Sequence, residues 1–254
     1  MEIMAEAVSA LWPGWKVVEV SNGRLLKGIE VSQPEHGLVV VVSPPTYGSS
    51  DGFDVNVTLQ SESDDGKPLS HYRAVLRLAQ QLPPKFRQPP NLHTEKKLST
   101  TKAYGEWLFH GPCFQVVNRI EGLSASGAGA VVSATQPKQW FVNGSSEQSS
   151  WLFDPAVVDS APQMAILWAR AYRNATALPT RFGRLTRYQE TLPELMHMGF
   201  ECIESPDPNI IRANVYYTDQ DDQVVLLIED MECVASTALN RLGGTSEISA
   251  SVVA

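Results

Sequence analysis

Two short stretches hold the side chains best suited to acid–base chemistry. Phe109-His110-Gly111-Pro112-Cys113-Phe114-Gln115 sets a histidine before a Gly-Pro turn, and an imidazole can take or give a proton near neutral pH. Gly111-Pro112 is expected to fix a tight turn that aims its neighbour into a cleft. Further along, in the run Phe153-Asp154-Pro155-Ala156-Val157-Val158-Asp159-Ser160-Ala161-Pro162-Gln163, Asp159 and Gln163 stand four residues apart. On a helix that spacing puts both on one face, where the amide can hold the carboxyl in one rotamer by donating a hydrogen bond. Pro162 predicts a helix starting near Ser160 or Ala161, because an interior proline costs about 3 kcal/mol and leaves the Val158 carbonyl without its donor. Asp154-Pro155 would then cap a short preceding turn. Asp159 would sit at a helix N-terminus, whose dipole favours the carboxylate, within an apolar segment whose desolvation favours the neutral acid. A general acid and an N-capping aspartate without chemistry both fit these residues. His110 likewise reads either as a hydrogen-bond donor or as a turn residue packed beside Phe109 and Phe114.

The remaining polar candidates carry less. Cys113, Cys202 and Cys233 are odd in number and far apart, which predicts neither a disulfide framework nor a zinc site, and Cys113 is expected to be a small packed residue. His36 and His71 lie beside strand starts, His93 falls in a proline-rich run and His197 among apolar neighbours; each is expected to be structural or exposed. Met164, Trp168 and Tyr172 are helix-spaced apolar residues, hence core. Residues 46–52 and 61–68 have turn compositions, with no following helix to make a phosphate loop. No cofactor or metal is called for.

A net charge of −8 over 254 residues, with no aromatic-interleaved basic cluster, argues against nucleic acid as a partner. A 43% hydrophobic, 19% charged chain is long enough to bury one large core or two fused smaller ones. It has no apolar run of bilayer length, and its opening carries an acidic residue where a signal peptide would be basic, so no membrane insertion and a cytoplasmic location are expected.

The elements that must position these residues follow from periodicity. Residues 2–12 predict a helix with Ile3, Ala7, Ala10 and Leu11 on one face, ended by Pro13-Gly14. Four strand-like runs follow, and in one of them Val55, Val57 and Leu59 alternate to one side. Residues 82–100 hold four prolines and no apolar periodicity and predict a linker. Beyond it come a strand pair, a helix that is apolar almost all round, and four more strands, the last two joined as a hairpin across residues 219–222. Helix followed by about four strands thus occurs twice. The expected architecture is α+β: a tandem (double) hot-dog of two curved antiparallel sheets, each wrapped on a central helix. Residues 1–81 would form a first unit lacking N-terminal strands, 101–242 a second, and 243–254 a flexible tail.

Taken in order, residues 4–31, 109–115 and 153–163 resemble the dehydratase domains of polyketide and polyunsaturated-fatty-acid synthases, which are double hot-dogs. The stretch 109–115 is similar to the family's Tyr-Gly-Pro-x-Phe-Gln element, with His110 where the family keeps a substrate-binding tyrosine. The stretch 153–163 resembles its His-Pro-x-Leu-Leu-Asp-x-x-x-Gln element. The resemblance implies elimination of water from a β-hydroxyacyl chain carried on the phosphopantetheine of an acyl carrier protein, amid neighbouring synthase domains. It implies Asp159 as the acid, with Gln163, His110, Gly111 and Pro112 positioning substrate. The family's basic histidine lies in an element upstream of the first helix, so this chain is expected to hold the acid half of the pair and to be inactive alone. The alternatives are a non-catalytic acyl-binding or scaffolding hot-dog and a hot-dog thioesterase.

Overall fold

The computed structural model describes residues 1–29, 37–48, 51–63, 65–88, 95–140 and 150–243. His36, His93 and the tail beyond Gly243 lie outside these residues. The chain opens on α1 (Glu2–Leu11), followed by β1 (Lys16–Leu25), β2 (Val39–Val42), β3 (Thr46–Tyr47), β4 (Gly52–Glu62) and β5 (Pro68–Ala79). A single helical turn, α2 (Thr100–Lys102), runs into a π-type turn at Ala103–Trp107. Then come β6 (Val117–Ser124), β7 (Gly127–Ser133), α3 (Pro155–Arg173), β8 (Thr176–Arg187), β9 (Leu195–Ile203), β10 (Ile210–Thr218) and β11 (Val224–Ser236).

The strands form one antiparallel sheet in the order β2-β4-β5-β1-β8-β11-β10-β9-β7-β6, with β3 paired to β4. The two expected sheets are therefore joined edge to edge by β1 and β8, which pair from Glu19 opposite Thr186 to Arg24 opposite Arg181. This hot-dog architecture leaves neither β1 nor β8 with an open edge, which removes a site of unwanted strand pairing. Other contacts lock the seam: the buried Arg187 donates from Nε to the Val17 carbonyl at 2.7 Å, and Lys16 pairs with Glu190. Val55, Val57 and Leu59 of β4 point into the core as their alternation predicts.

The burial of α1 departs from expectation. Met4, Ala5 and Val8 are buried, whereas Ile3 and Leu11 are 52% and 58% exposed and Ala10 is exposed. The helix is rolled so that Met4, Ala5 and Val8 meet the sheet, a choice the repeated apolar residues on both sides leave to tertiary packing.

The start of α3 is a second correction. It is one helix of 19 residues from Pro155, with Pro162 inside it and Asp159 in its second turn, not at its N-terminus. Asp154 is the true cap: its carboxylate accepts from the N–H groups of Ala156 and Val157 at 2.9 and 3.2 Å, and Pro155 fills the first position, where no donor is needed. Thirteen of the helix residues are buried, and packing on that scale outweighs a proline penalty of about 3 kcal/mol. One turn before the proline, the Val157 carbonyl faces the hydroxyls of Ser160 and Tyr217 at 2.7 and 2.9 Å.

The described parts of the proline-rich run lie along the second unit. Val224 donates to the Phe86 carbonyl, and Lys96 and Leu123 exchange backbone hydrogen bonds. Among the described residues no helix is long and apolar enough to cross a membrane.

Candidate active site

Asp159 and Gln163 share one face of α3, and the Gln163 amide donates from Nε2 to Asp159 Oδ2 at 2.9 Å. The same nitrogen donates to the Phe114 carbonyl at 2.9 Å. His110 reaches the same carboxyl oxygen, Nε2 to Oδ2 being 3.3 Å. The amide thus donates to Oδ2, the imidazole stands within ion-pair distance of the same atom, and Oδ1 has no protein partner among the described residues.

The loop that carries His110 is held from both sides. Its ring stacks on Phe109 with centroids 4.5 Å apart, and its carbonyl accepts from the Gln115 side-chain amide at 2.9 Å. Pro112 opens a 3-10 turn over Pro112–Phe114. Gly111 has an ordinary φ of −69°, and a Cβ there would meet nothing. The turn therefore depends on Pro112 and the Gln115 bond, with no need for glycine's extra freedom. Cys113 is exposed, not packed as expected, because the turn faces it outward.

Burial pushes the Asp159 carboxyl above the usual carboxylate range, against the Gln163 hydrogen bond and the nearby imidazole, which both pull it down. Burial also pushes His110 below its ordinary value, against the attraction of Asp159. Desolvation thus favours the neutral acid facing a neutral imidazole. The helix dipole contributes little at this position, since its field falls off within the first turn.

Asp159 opens into a cleft of about 360 Å³ between the two units. Leu25, Leu59 and Tyr72 line it from the first unit, and Phe114, Phe153 and Phe182 from the second. Glu2 lines it too, and its carboxylate accepts from the N–H groups of Leu152 and Phe153 at 2.8 and 2.6 Å, tying α1 to the turn before α3. Burial outweighs those donors and pushes Glu2 up to about 7. His110 is not among the side chains that line this cleft. A larger depression of about 550 Å³ on the outer surface, beside Pro83 and Pro84, contains none of the candidate residues.

The other histidines in the described residues are engaged elsewhere. His71 is buried, with Nε2 2.8 Å from Ser61 Oγ and Nδ1 3.2 Å from the Lys27 carbonyl. His197 lies 3.6 Å from Glu121 on the surface. Met164 and Trp168 are core, while Tyr172 is partly buried and donates its hydroxyl to Glu95. No group of three or more potential metal ligands occurs among the described residues.

One residue of the site went unread in the sequence. Tyr104, in the π-type turn, donates its hydroxyl to Gln163 Oε1 at 3.0 Å and accepts from the Val117 N–H at 3.1 Å. Its signal was a lone tyrosine six residues before His110, with no periodicity to mark it.

Helices α1 and α3, packed on the two halves of one antiparallel sheet joined at β1 and β8, define a hot-dog fold, with Asp159 in the cleft. The model of the polyketide synthase dehydratase N-terminal domain matches residues 84–242, and the chain belongs to that family. It is 28% identical over 189 residues to one of the subunits of the polyunsaturated fatty acid synthase of Thraustochytrium sp.; the match covers 73% of this chain and only 7% of that protein. The dehydratase domain of the CurF module of the curacin polyketide synthase superposes with a TM-score of 0.71 at 16% identity, over 92% of this chain and 81% of that one. The dehydratase domain of PpsC from Mycobacterium tuberculosis, in complex with C12:1-CoA, gives 0.65 at 19% identity, over 92% and 82%.

Proposed function

We propose that this chain supplies the acid half of a dehydratase site, Asp159 with Gln163, which eliminates water from a β-hydroxyacyl chain. The observation that carries the reading is a half-buried carboxyl, held by the Gln163 amide, that opens into a cleft lined mainly by apolar side chains. The substrate would be tethered through the phosphopantetheine of an acyl carrier protein, within a cytoplasmic synthase whose neighbouring domains surround this one; no other cofactor is invoked. A base removes the proton from Cα, the Cβ–O bond breaks, and Asp159 gives its proton to the departing hydroxyl, leaving water and the enoyl thioester. A carboxyl whose hold on its proton is strengthened by desolvation suits that role, as does a wall lined mainly by apolar side chains.

His110 lies 3.3 Å from the Asp159 carboxyl, which suits it to steering that group. His71 and His197 face other partners. The base, as the family resemblance implies, would be a histidine supplied by the enclosing synthase from outside this chain. With a β-hydroxyacyl-pantetheine thioester, the chain by itself is expected to release no enoyl product, while Asp159→Asn in the enclosing synthase should lower kcat by at least about 100-fold, the usual scale of general acid catalysis. Full activity in that variant would overturn the acid assignment. Thioester cleavage to free thiol would favour a thioesterase, and tight acyl binding without turnover in the intact synthase a scaffolding domain.

A further inference from the structure

We propose that Tyr104 is a positioning residue for the Asp159 carboxyl: its hydroxyl fixes the Gln163 amide so that N–H, never the carbonyl oxygen, faces Oδ2, and Oδ1 is left to serve substrate. This rests on the reading of Asp159 as the acid. The geometry leaves the amide little choice. The Val117 N–H can only donate, so it takes a lone pair of the phenol oxygen, and the phenol hydrogen points to Gln163 Oε1. Burial pushes the phenol up to about 12, so it stays a donor throughout the working pH range. At the other end of the amide, the Phe114 carbonyl accepts one Nε2 hydrogen, and the second reaches Asp159 Oδ2. Every hydrogen-bonding atom of the amide is thus assigned, and the orientation that results is the one that supports a carboxyl.

The consequence falls on the two oxygens differently. Oδ2 faces Gln163 Nε2 at 2.9 Å and His110 Nε2 at 3.3 Å. A donor already occupies Oδ2, so the acid's proton belongs on Oδ1. Loss of the Tyr104 hydroxyl leaves Oε1 bare, loosens the amide and weakens the bond to Oδ2. That weakens support for the anion, so Asp159 should hold its proton to higher pH.

The test is an NMR titration of the whole chain with ¹³C-carboxyl aspartate, following the His110 imidazole in the same samples. The titratable groups around Asp159 are His110 from the preceding loop, Tyr104 from the π-type turn, Tyr217 from β10, Asp154 at the start of α3, and, lining the same cleft, Glu2 and the Met1 amino group at α1 and Tyr72 from β5. Tyr104→Phe should raise the Asp159 midpoint by about half a pH unit or more, and Gln163→Leu by at least as much. In the Tyr104→Phe/Gln163→Leu double variant the shift should equal that of Gln163→Leu alone, since Tyr104 acts through the amide. An unmoved Asp159 midpoint in folded Tyr104→Phe, or additive shifts in the double variant, would overturn the proposal. If Tyr104→Phe does not fold, site-specific 3-fluorotyrosine at position 104 keeps the ring and strengthens the donor; Asp159 should then move down, and no movement would overturn the proposal. The titration uses no substrate, so its failure leaves the dehydratase reading standing, and a failed turnover assay leaves the relay standing.

Discussion

The two halves of the sheet obey one wiring rule and differ at one edge. After α1, the first strand pairs the last (β1 with β5), then β5 pairs β4 and β4 pairs β2; after α3, β8 pairs β11, β11 pairs β10 and β10 pairs β9. In the second half β9 goes on to pair β7, with seven matched residues from Gly127 opposite Glu201 to Ser133 opposite Leu195. In the first half β2 has no further strand beside it among the described residues, and Val39 and Val41 are 55% and 46% exposed. The helices differ in the same sense: α3 has 19 residues and a side-chain cap, α1 has 10 and none. The proposed acid rides on the longer, capped helix. Its carboxyl is held by Gln163 one turn along the same helix and faced by His110 from the loop before β6.

The contrast is sharpest in the core. Met164 and Met4 are equally buried methionines of α3 and α1; Met→Ala at either should cost about 2–5 kcal/mol, with Met164 at the upper end because α3 has fewer open sides into which a cavity can collapse. Urea unfolding of both variants checks the order, and a larger loss at Met4 would break it.

Next in size is Glu2, the clip between the halves. Its pKa is raised from 4.5 in the unfolded chain to about 7 in the folded one, so the folded state holds the proton more tightly. The associated stability is present below about pH 4.5 and is lost as pH rises through about 7, a change on the order of 3 kcal/mol. Denaturant unfolding at stepped pH should show that slope in the wild type and lose it in Glu2→Gln.

Asp154→Ala removes the cap that α1 lacks and should cost about 1–2 kcal/mol, read as a lowered unfolding midpoint. It also strips the Thr135 hydroxyl of an acceptor at 3.0 Å. The smallest effect belongs to the open edge: Val41→Thr should change stability by less than about 0.5 kcal/mol. The same change at Val132, fully buried in β7, should exceed it several-fold in the same assay.

Much of this fold was legible because strands and turns are written locally. Alternation placed Val55, Val57 and Leu59, and turn residues marked the hairpin across residues 219–222. The spacing of Asp159 and Gln163 alone implied their shared face. The rolled face of α1 was not legible, since Ile3 and Leu11 are as apolar as Met4 and Val8, and only the sheet distinguishes them. Pro162 misled for the opposite reason: its local cost is real, but burial of the surrounding turns exceeds it.

Local sequence determined which segments extend or coil, that the helix–strand plan occurs twice, and that an acid and an amide ride one helix face. These depend on φ/ψ preference and hydrophobic period, properties of near neighbours in the chain. Tertiary structure decided that β1 and β8 close the two sheets into one, that His110 meets the Asp159 carboxyl, and that Tyr104 reaches Gln163. Each of those joins residues far apart in the chain, from 49 between His110 and Asp159 to more than 150 between β1 and β8, and is fixed by burial and unmet hydrogen-bond partners, which no local pattern encodes.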